Sequence, residues 1–174
     1  MKKVLLVGLL IGLAHAGDNS LYDNSVALHI GYESTKGDKN SYSNMVYNLQ
    51  INRNLDYSTG MLNIDAVQLD LEYATPGTKQ RDYVLRGGAN ALWYMETMSE
   101  WTPYVKGGLG LQALNGTTKM TSGDYAYGTV GAGVEYQIRG DASVVGEVSD
   151  HLSFAGENTA RIATGLKYSF GQSY

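Results

Sequence analysis

From Val26 to Phe170, apolar and polar side chains alternate with a period of two, in eight stretches separated by polar, glycine-containing links. The first stretch places Val26, Leu28, Ile30 and Tyr32 on one face and Ala27, His29, Gly31 and Glu33 on the other. The second opposes Met45, Tyr47, Leu49 and Ile51 to Val46, Asn48, Gln50 and Asn52, and the third opposes Val67, Leu69, Leu71 and Tyr73 to Gln68, Asp70 and Glu72. Tyr83, Leu85, Ala89, Ala91 and Trp93 then face away from Arg86, Gly88, Asn90 and Tyr94, and Pro103, Val105, Leu109 and Leu111 from Tyr104, Lys106, Gly108 and Gln112. The sixth sets Val130, Ala132, Val134 and Tyr136 against Thr129, Gly131, Gly133 and Glu135. The seventh is less regular, with Ala142, Val144 and Val148 against Ser143, Val145, Glu147 and Ser149. The eighth is the clearest: Ile162, Thr164, Leu166, Tyr168 and Phe170 against Arg161, Ala163, Gly165, Lys167 and Ser169.

Strands of about 9–11 residues cross a bilayer when tilted, and these stretches have that length. The links also alternate in character. Ser34–Ser41, Ala74–Asp82, Leu114–Asp124 and Asp150–Asn158 are loops, whereas Arg139-Gly140-Asp141 is a tight turn and Met95–Glu100 is short. Long links at one end and short ones at the other are the habit of membrane barrels. Asn54–Asn63 breaks the habit, because a short turn is expected there. The pattern predicts an all-β fold: an eight-stranded, antiparallel, up-and-down transmembrane β-barrel.

Residues 1–16 lie outside this pattern. Met1-Lys2-Lys3, an apolar run from Val4 to Leu13 and the small-x-small sequence Ala14-His15-Ala16 read as a secretory signal peptide cut after Ala16. Ten apolar residues are too few to cross ~30 Å of hydrocarbon as a helix. The mature domain is then 17–174. The full chain's 13 basic residues less Lys2 and Lys3 leave 11 against 17 acidic ones, a formal charge of −6, which argues against a nucleic-acid partner. Charged residues make up only 17% of the chain, against about 25% in soluble domains, so an exported chain without an apolar helix must place apolar surface elsewhere. With no cysteine, neither disulfides nor a lipoprotein anchor is available.

Alternation alone does not say which face points inward, since a lipocalin-like barrel has the same period with its apolar face inside. Two features decide for a membrane barrel. Tyr32, Tyr73, Tyr83, Trp93, Tyr136 and Tyr168 sit near strand ends on the apolar face, where amphipathic rings form belts at the lipid–water boundary. The other face mixes Gly, Ala and Ser with isolated long charges, which suits a narrow lumen rather than a solvated exterior.

Turned inward, that face carries Glu33, Asp70, Glu72, Glu135 and Glu147 against Arg86, Lys106, Arg161 and Lys167, with His29 and Gln50 as further polar lumen residues. Enclosed charges must pair. A loop centred near Thr78 sets Asp70 opposite Arg86, one centred near Phe154 sets Glu147 opposite Arg161, and Lys106 and Glu135 are placed to join Lys167. Such a network is either a plug that fixes strand register or a gated ion pathway. An eight-stranded barrel has room for side chains rather than for a channel, which favours the plug. His29 reads as a hydrogen-bonded lumen residue ahead of a pH sensor or ligand. No histidine cluster, cysteine or phosphate loop points to a metal or cofactor.

Pro103-Tyr104-Val105-Lys106-Gly107-Gly108-Leu109-Gly110, Val130-Gly131-Ala132-Gly133-Val134-Glu135-Tyr136 and Gly165-Leu166-Lys167-Tyr168-Ser169-Phe170 resemble the OmpA-like outer-membrane β-barrel family, and the resemblance covers the whole mature chain. It implies a bacterial outer-membrane location, contact with outer-membrane lipid and lipopolysaccharide, and folding by the barrel-assembly machinery. That machinery reads a terminal strand ending in an aromatic residue. Phe170 with Tyr168, Leu166, Thr164 and Ile162 behind it fits that register, although Gly171-Gln172-Ser173-Tyr174 follow. The peptidoglycan-binding domain of longer members is not implied. His151-Leu152-Ser153 is faintly similar to the His-x-Ser of the lipid A deacylases, eight-stranded barrels with a Ser, His and Glu triad. Phe154 stands where that family has Asn, and past Glu157 the next strand offers no acid. The expected role is structural, surface-interacting or adhesive, through a largely plugged barrel and an unidentified surface ligand. The alternatives are a narrow porin for small ions and a deacylase-like enzyme using His151 and Ser153.

Overall fold

The computed structural model describes residues 23–36, 41–55, 63–75, 83–95, 99–115, 126–154 and 158–171. The expected signal peptide 1–16, Glu157, the middle of the Asn54–Asn63 link and the tail beyond Gly171 lie outside the described residues. No helix among them is long and apolar enough to cross a membrane.

Every predicted stretch is a strand: β1 (Asn24–Lys36), β2 (Ser41–Asn54), β3 (Ala66–Ala74), β4 (Tyr83–Tyr94), β5 (Trp101–Asn115), β6 (Ala126–Arg139), β7 (Ala142–Ser153) and β8 (Asn158–Phe170). Each pairs antiparallel with its sequence neighbour, and β1 pairs with β8, so the sheet closes into a barrel without an edge. Closure satisfies the backbone groups of every strand internally, which hydrocarbon requires.

The faces fall as the alternation dictates. Along β3, Gln68, Glu72 and Ala74 are buried while Val67, Leu69, Leu71 and Tyr73 are exposed. The same division puts Leu28, Ile30, Ile51, Leu109, Leu111, Val148, Ile162 and Leu166 outside. Among the described residues most buried side chains are polar or charged, and of the apolar ones Ala66, Leu92, Tyr104 and Val145 form one cluster, Val46, Ala74 and Val84 another. A soluble barrel would show the opposite. The greasy exterior and ionic interior suit hydrocarbon as the surrounding solvent.

At the end of the barrel with the short turns, backbone bonds tie the strands together. The Asn54 N–H donates to Asp23 O at 2.8 Å, Gln137 N–H to Glu100 O at 2.9 Å and Ser169 N–H to Asp141 O at 2.8 Å. The β6–β7 turn carries a bulge, since the pairing steps from Gln137–Ser143 to Arg139–Ala142. Of the irregular Asn54–Asn63 link, the described ends are clipped: Leu55 N–H donates to Asp65 O, and Asn63 takes a left-handed φ of 40°.

Candidate functional site: the ionic lumen

Because even-numbered residues of β3, β4, β5 and odd-numbered residues of β1, β7, β8 point inward, acids and bases from six strands meet at mid-height. They form one chain of alternating sign. Glu33 accepts from Arg86 at 2.6 Å, and Arg86 also pairs with Glu72 at 2.5 Å. Glu72 pairs with Arg161, Arg161 with Glu147, and Glu147 with Lys106 at 2.8 Å; Lys106 then lies 3.8 Å from Asp70. Neutral groups bind several of these acids as well. The Asn44 amide donates to Glu33 at 3.0 Å, Asn90 to Asp70, and the Tyr104 hydroxyl to Glu147 at 3.0 Å. β2 joins through Gln50, whose Oε1 accepts from Gln68 at 2.9 Å, while Lys106 donates to Gln68 at 3.2 Å. Charges taken out of water hold together only when paired and hydrogen-bonded in this way.

Nearer the turn end a second, smaller group is separate. Lys167 bonds both oxygens of Glu135 at 2.7 and 2.8 Å, and the Tyr94 hydroxyl donates to Glu135 at 3.1 Å. The apolar cluster of Ala66, Leu92, Tyr104 and Val145 packs against Tyr94. Greasy side chains therefore stand beside both charge groups inside the lumen. At the turn end, outside the spanning strands, burial pushes the Asp65 carboxyl above its usual range while the Tyr94 N–H, donated at 2.7 Å, pulls it down.

The expected lumen residues Glu33, Glu72, Arg86, Lys106, Glu147, Arg161, Lys167, His29 and Gln50 are all buried inside, with Asp70 and Glu135 half-buried among them. Their pairing differs from the sequence expectation in three places. Arg86 stands opposite Glu72, and Asp70 opposite Gly88, so Asp70 binds Asn90 and Lys106 instead of Arg86. Likewise Glu147 faces Ala163, and its contact with Arg161 is diagonal. The cause is parity. Sliding a hairpin by two residues keeps every side chain on its face, so alternation leaves that choice open. Nor does Lys106 join Glu135 and Lys167; it reaches Glu147.

The alternation placed Gln68, Asn90, Tyr94 and Tyr104 on the inward face without marking them as partners of the charges, and it did not name Tyr127 and Asn44. A signal existed for the tyrosines. Tyr104 stands opposite Gly133 and Tyr127 opposite Gly110, and a Cβ at either glycine would collide with the facing ring. Each large lumen ring thus needs a neighbour without a side chain.

Among the expected belt residues, Tyr32, Tyr73, Tyr136 and Tyr168 are exposed on the outer face and Tyr83 is half-exposed. Trp93 differs. It is on the outer face yet only 8% exposed, with its ring lying over Gly107. Trp101, tilted against Tyr136 at 4.6 Å between centroids, stands out into the surroundings instead. The expected assembly residues Ile162, Leu166, Tyr168 and Phe170 form an exposed row along β8. His151 and Ser153 lie on the lumen-facing side of β7, and the His151 ring packs on Tyr127 at 4.9 Å. His29 lies inside against Gly165.

A closed, eight-stranded antiparallel barrel, apolar outside and ionic within, defines the architecture of the small outer-membrane β-barrels. Solved structures of that kind superpose on it. Neisserial surface protein A matches with a TM-score of 0.67 at 12% identity, covering 85% of this chain and 97% of that one. The attachment invasion locus protein Ail of Yersinia pestis gives 0.60 at 11%, covering 87% and 100%. The outer membrane enzyme PagL gives 0.55 at 17%, covering 84% and 99%. At these identities the likeness is one of fold. No protein-family model and no curated protein sequence matches the chain.

Proposed function

We propose that this chain is an exported barrel of a bacterial outer membrane, freed of residues 1–16, whose plugged interior leaves its work to the outer surface: envelope integrity, surface interaction or adhesion. The observation that carries the reading is the alternating chain from Glu33 through Arg86, Glu72, Arg161, Glu147 and Lys106 to Asp70, which links six strands across the lumen. Side chains that neutralise one another across the barrel occupy the route an ion would take. The loop end then faces outward, with outer-membrane lipid and lipopolysaccharide around the barrel. The β8 row ending at Phe170 serves the barrel-assembly machinery during folding.

This reading makes the chain a non-enzyme. His151 and Ser153 turn toward the lumen, where a membrane acyl chain has no approach, and that geometry supports the reading over a deacylase. It also disfavours a porin. Planar-bilayer recording on the refolded mature barrel is expected to give a flat baseline at moderate voltage. Reproducible unitary steps that Arg86→Gln alters would establish a narrow pore and overturn the plug. Lipid A acylation is expected to be the same with the intact gene, with Ser153→Ala and without the gene.

A further inference from the structure

Inside the barrel, the wall made by β1, β2 and β3 is bonded differently from the rest. The described inward side chains of β2 are Asn44, Val46, Asn48, Gln50 and Asn52, so this strand brings no charge to the ionic chain. His29 of β1 stands across from Asn48, and Asn48 across from Glu72 of β3. All three are buried. Yet both ring nitrogens of His29 and both amide atoms of Asn48 lack a hydrogen-bond partner among the described residues. Turning the imidazole or the amide over changes nothing, because both ends of each are bare. One row nearer the turn end, Gln50 Oε1 accepts from Gln68 at 2.9 Å, but Gln50 Nε2 is bare. So is Oδ1 of Asp70, which stands across from Gln50. Six polar atoms on four neighbouring side chains therefore await partners. Buried polar groups in native proteins are bonded, to protein or to ordered water, because a bare one is costly.

There is room for a partner. The row through Gln50 and Asp70 ends in two residues without bulk, Ala27 on one side and Gly88 on the other. The Asp70 side chain points inward yet is 11% exposed, whereas those of Glu33 and Glu147 are at 0%. The next row toward the turn end, Ser25, Asn52, Gln68 and Asn90, is buried. So is the next row toward the loop end, His29, Asn48, Glu72 and Arg86. The space beside Asp70 is therefore enclosed. Chemistry selects what fills it. A cation wants acceptors alone and an anion donors alone. Here an uncharged imidazole offers one of each, the Asn48 amide offers both, Gln50 offers N–H groups and Asp70 a carboxylate oxygen. Water, which donates twice and accepts twice, matches this mixture.

We propose that His29, Asn48, Gln50 and Asp70 form a binding site for a small cluster of enclosed water, cut off from bulk solvent. The cluster ties uncharged β2 into the interior between β1 and β3, where no ion pair reaches that strand. The proposal deepens the plugged-lumen reading and rests on the lumen geometry, not on the membrane location or the surface role.

Crystals of the folded mature barrel, grown from detergent and soaked in rubidium bromide, test it. Rubidium and bromide report cation and anion sites by anomalous scattering, which water lacks. Oxygen-sized density is expected within about 3 Å of His29, Asn48 and Gln50, without an anomalous peak. An anomalous peak there overturns water in favour of an ion, and a pocket without density overturns the site. Urea unfolding in micelles gives a second reading through Asn48→Leu, which keeps the volume and removes the amide. If the amide holds water, the loss of its bonds is expected to raise the unfolding constant about tenfold. An unchanged or lowered constant contradicts the proposal, because a bare amide is no loss when an apolar group replaces it. The plug is judged separately by bilayer recording. A flat baseline with no density in the pocket would end the water site and spare the plug, whereas unitary steps with that density present would end the plug alone.

Discussion

Single residues in this barrel matter through what they leave behind. Arg161 holds two buried carboxylates, Glu72 and Glu147, and no solvent reaches that depth to replace it. Arg161→Ala is expected to cost about 3 kcal/mol or more, read from urea unfolding of the folded barrel in micelles, because each acid then keeps one described cation, Arg86 for Glu72 and Lys106 for Glu147. A cost below ~1 kcal/mol would mean that the lumen is wet. Gly133→Ala tests the steric half of the same design. Its methyl group would meet the Tyr104 ring, which the bond to Glu147 holds in place. The expected loss is about 1–3 kcal/mol, and it should shrink in a background of Tyr104→Leu, where the ring is gone. At this scale the sequence told which side chains go inside but not which of them touch. The charge inventory from Glu33 to Lys167 was legible because parity decides it. The partnership of Arg86 with Glu72 was not, because a slip of two residues preserves parity and only the three-dimensional network chooses between registers.

Among elements, the eight strands were legible almost to their ends, and for one physical reason. A strand with lipid on one side and packed polar groups on the other has no freedom in its pattern. β7 illustrates the limit: Val145 breaks the polar side of its pattern, yet it is buried among Ala66, Leu92 and Tyr104, where an apolar group is wanted. Trp93 shows another limit. Alternation put it outside correctly, but whether its ring stands in lipid or lies down depends on Gly107 of the adjoining strand. The element-scale prediction is one of depth. Ile30→Arg, at the middle of β1 on the exposed face, is expected to cost about 2–4 kcal/mol in bilayers, whereas Asn24→Arg at the end of the same strand costs about 0–1 kcal/mol. Equal costs for the two, measured by denaturant unfolding in vesicles, would mean that the strand does not traverse hydrocarbon.

For the molecule as a whole, the account joins closure, exterior and interior into a single arrangement. Pairing of β1 with β8 removes the sheet edge, the apolar exterior takes lipid as its solvent, and the ionic lumen supplies the fixed interior that a narrow barrel needs. The choice between this arrangement and a soluble barrel rested, in the sequence, on where aromatic residues fall and on how small the polar-face residues are. Neither signal could show that four acids and three bases interlock across six strands, because that depends on contacts among residues up to 89 positions apart. The absence of cysteine gives a direct test of the arrangement. Nitroxide labels placed through Leu28→Cys, Leu69→Cys, Leu109→Cys and Leu166→Cys, in barrels reconstituted into bilayers, are to be examined by power-saturation electron paramagnetic resonance. All four are predicted to be accessible to oxygen and shielded from a water-soluble nickel chelate; access to the chelate at these four positions would contradict the account.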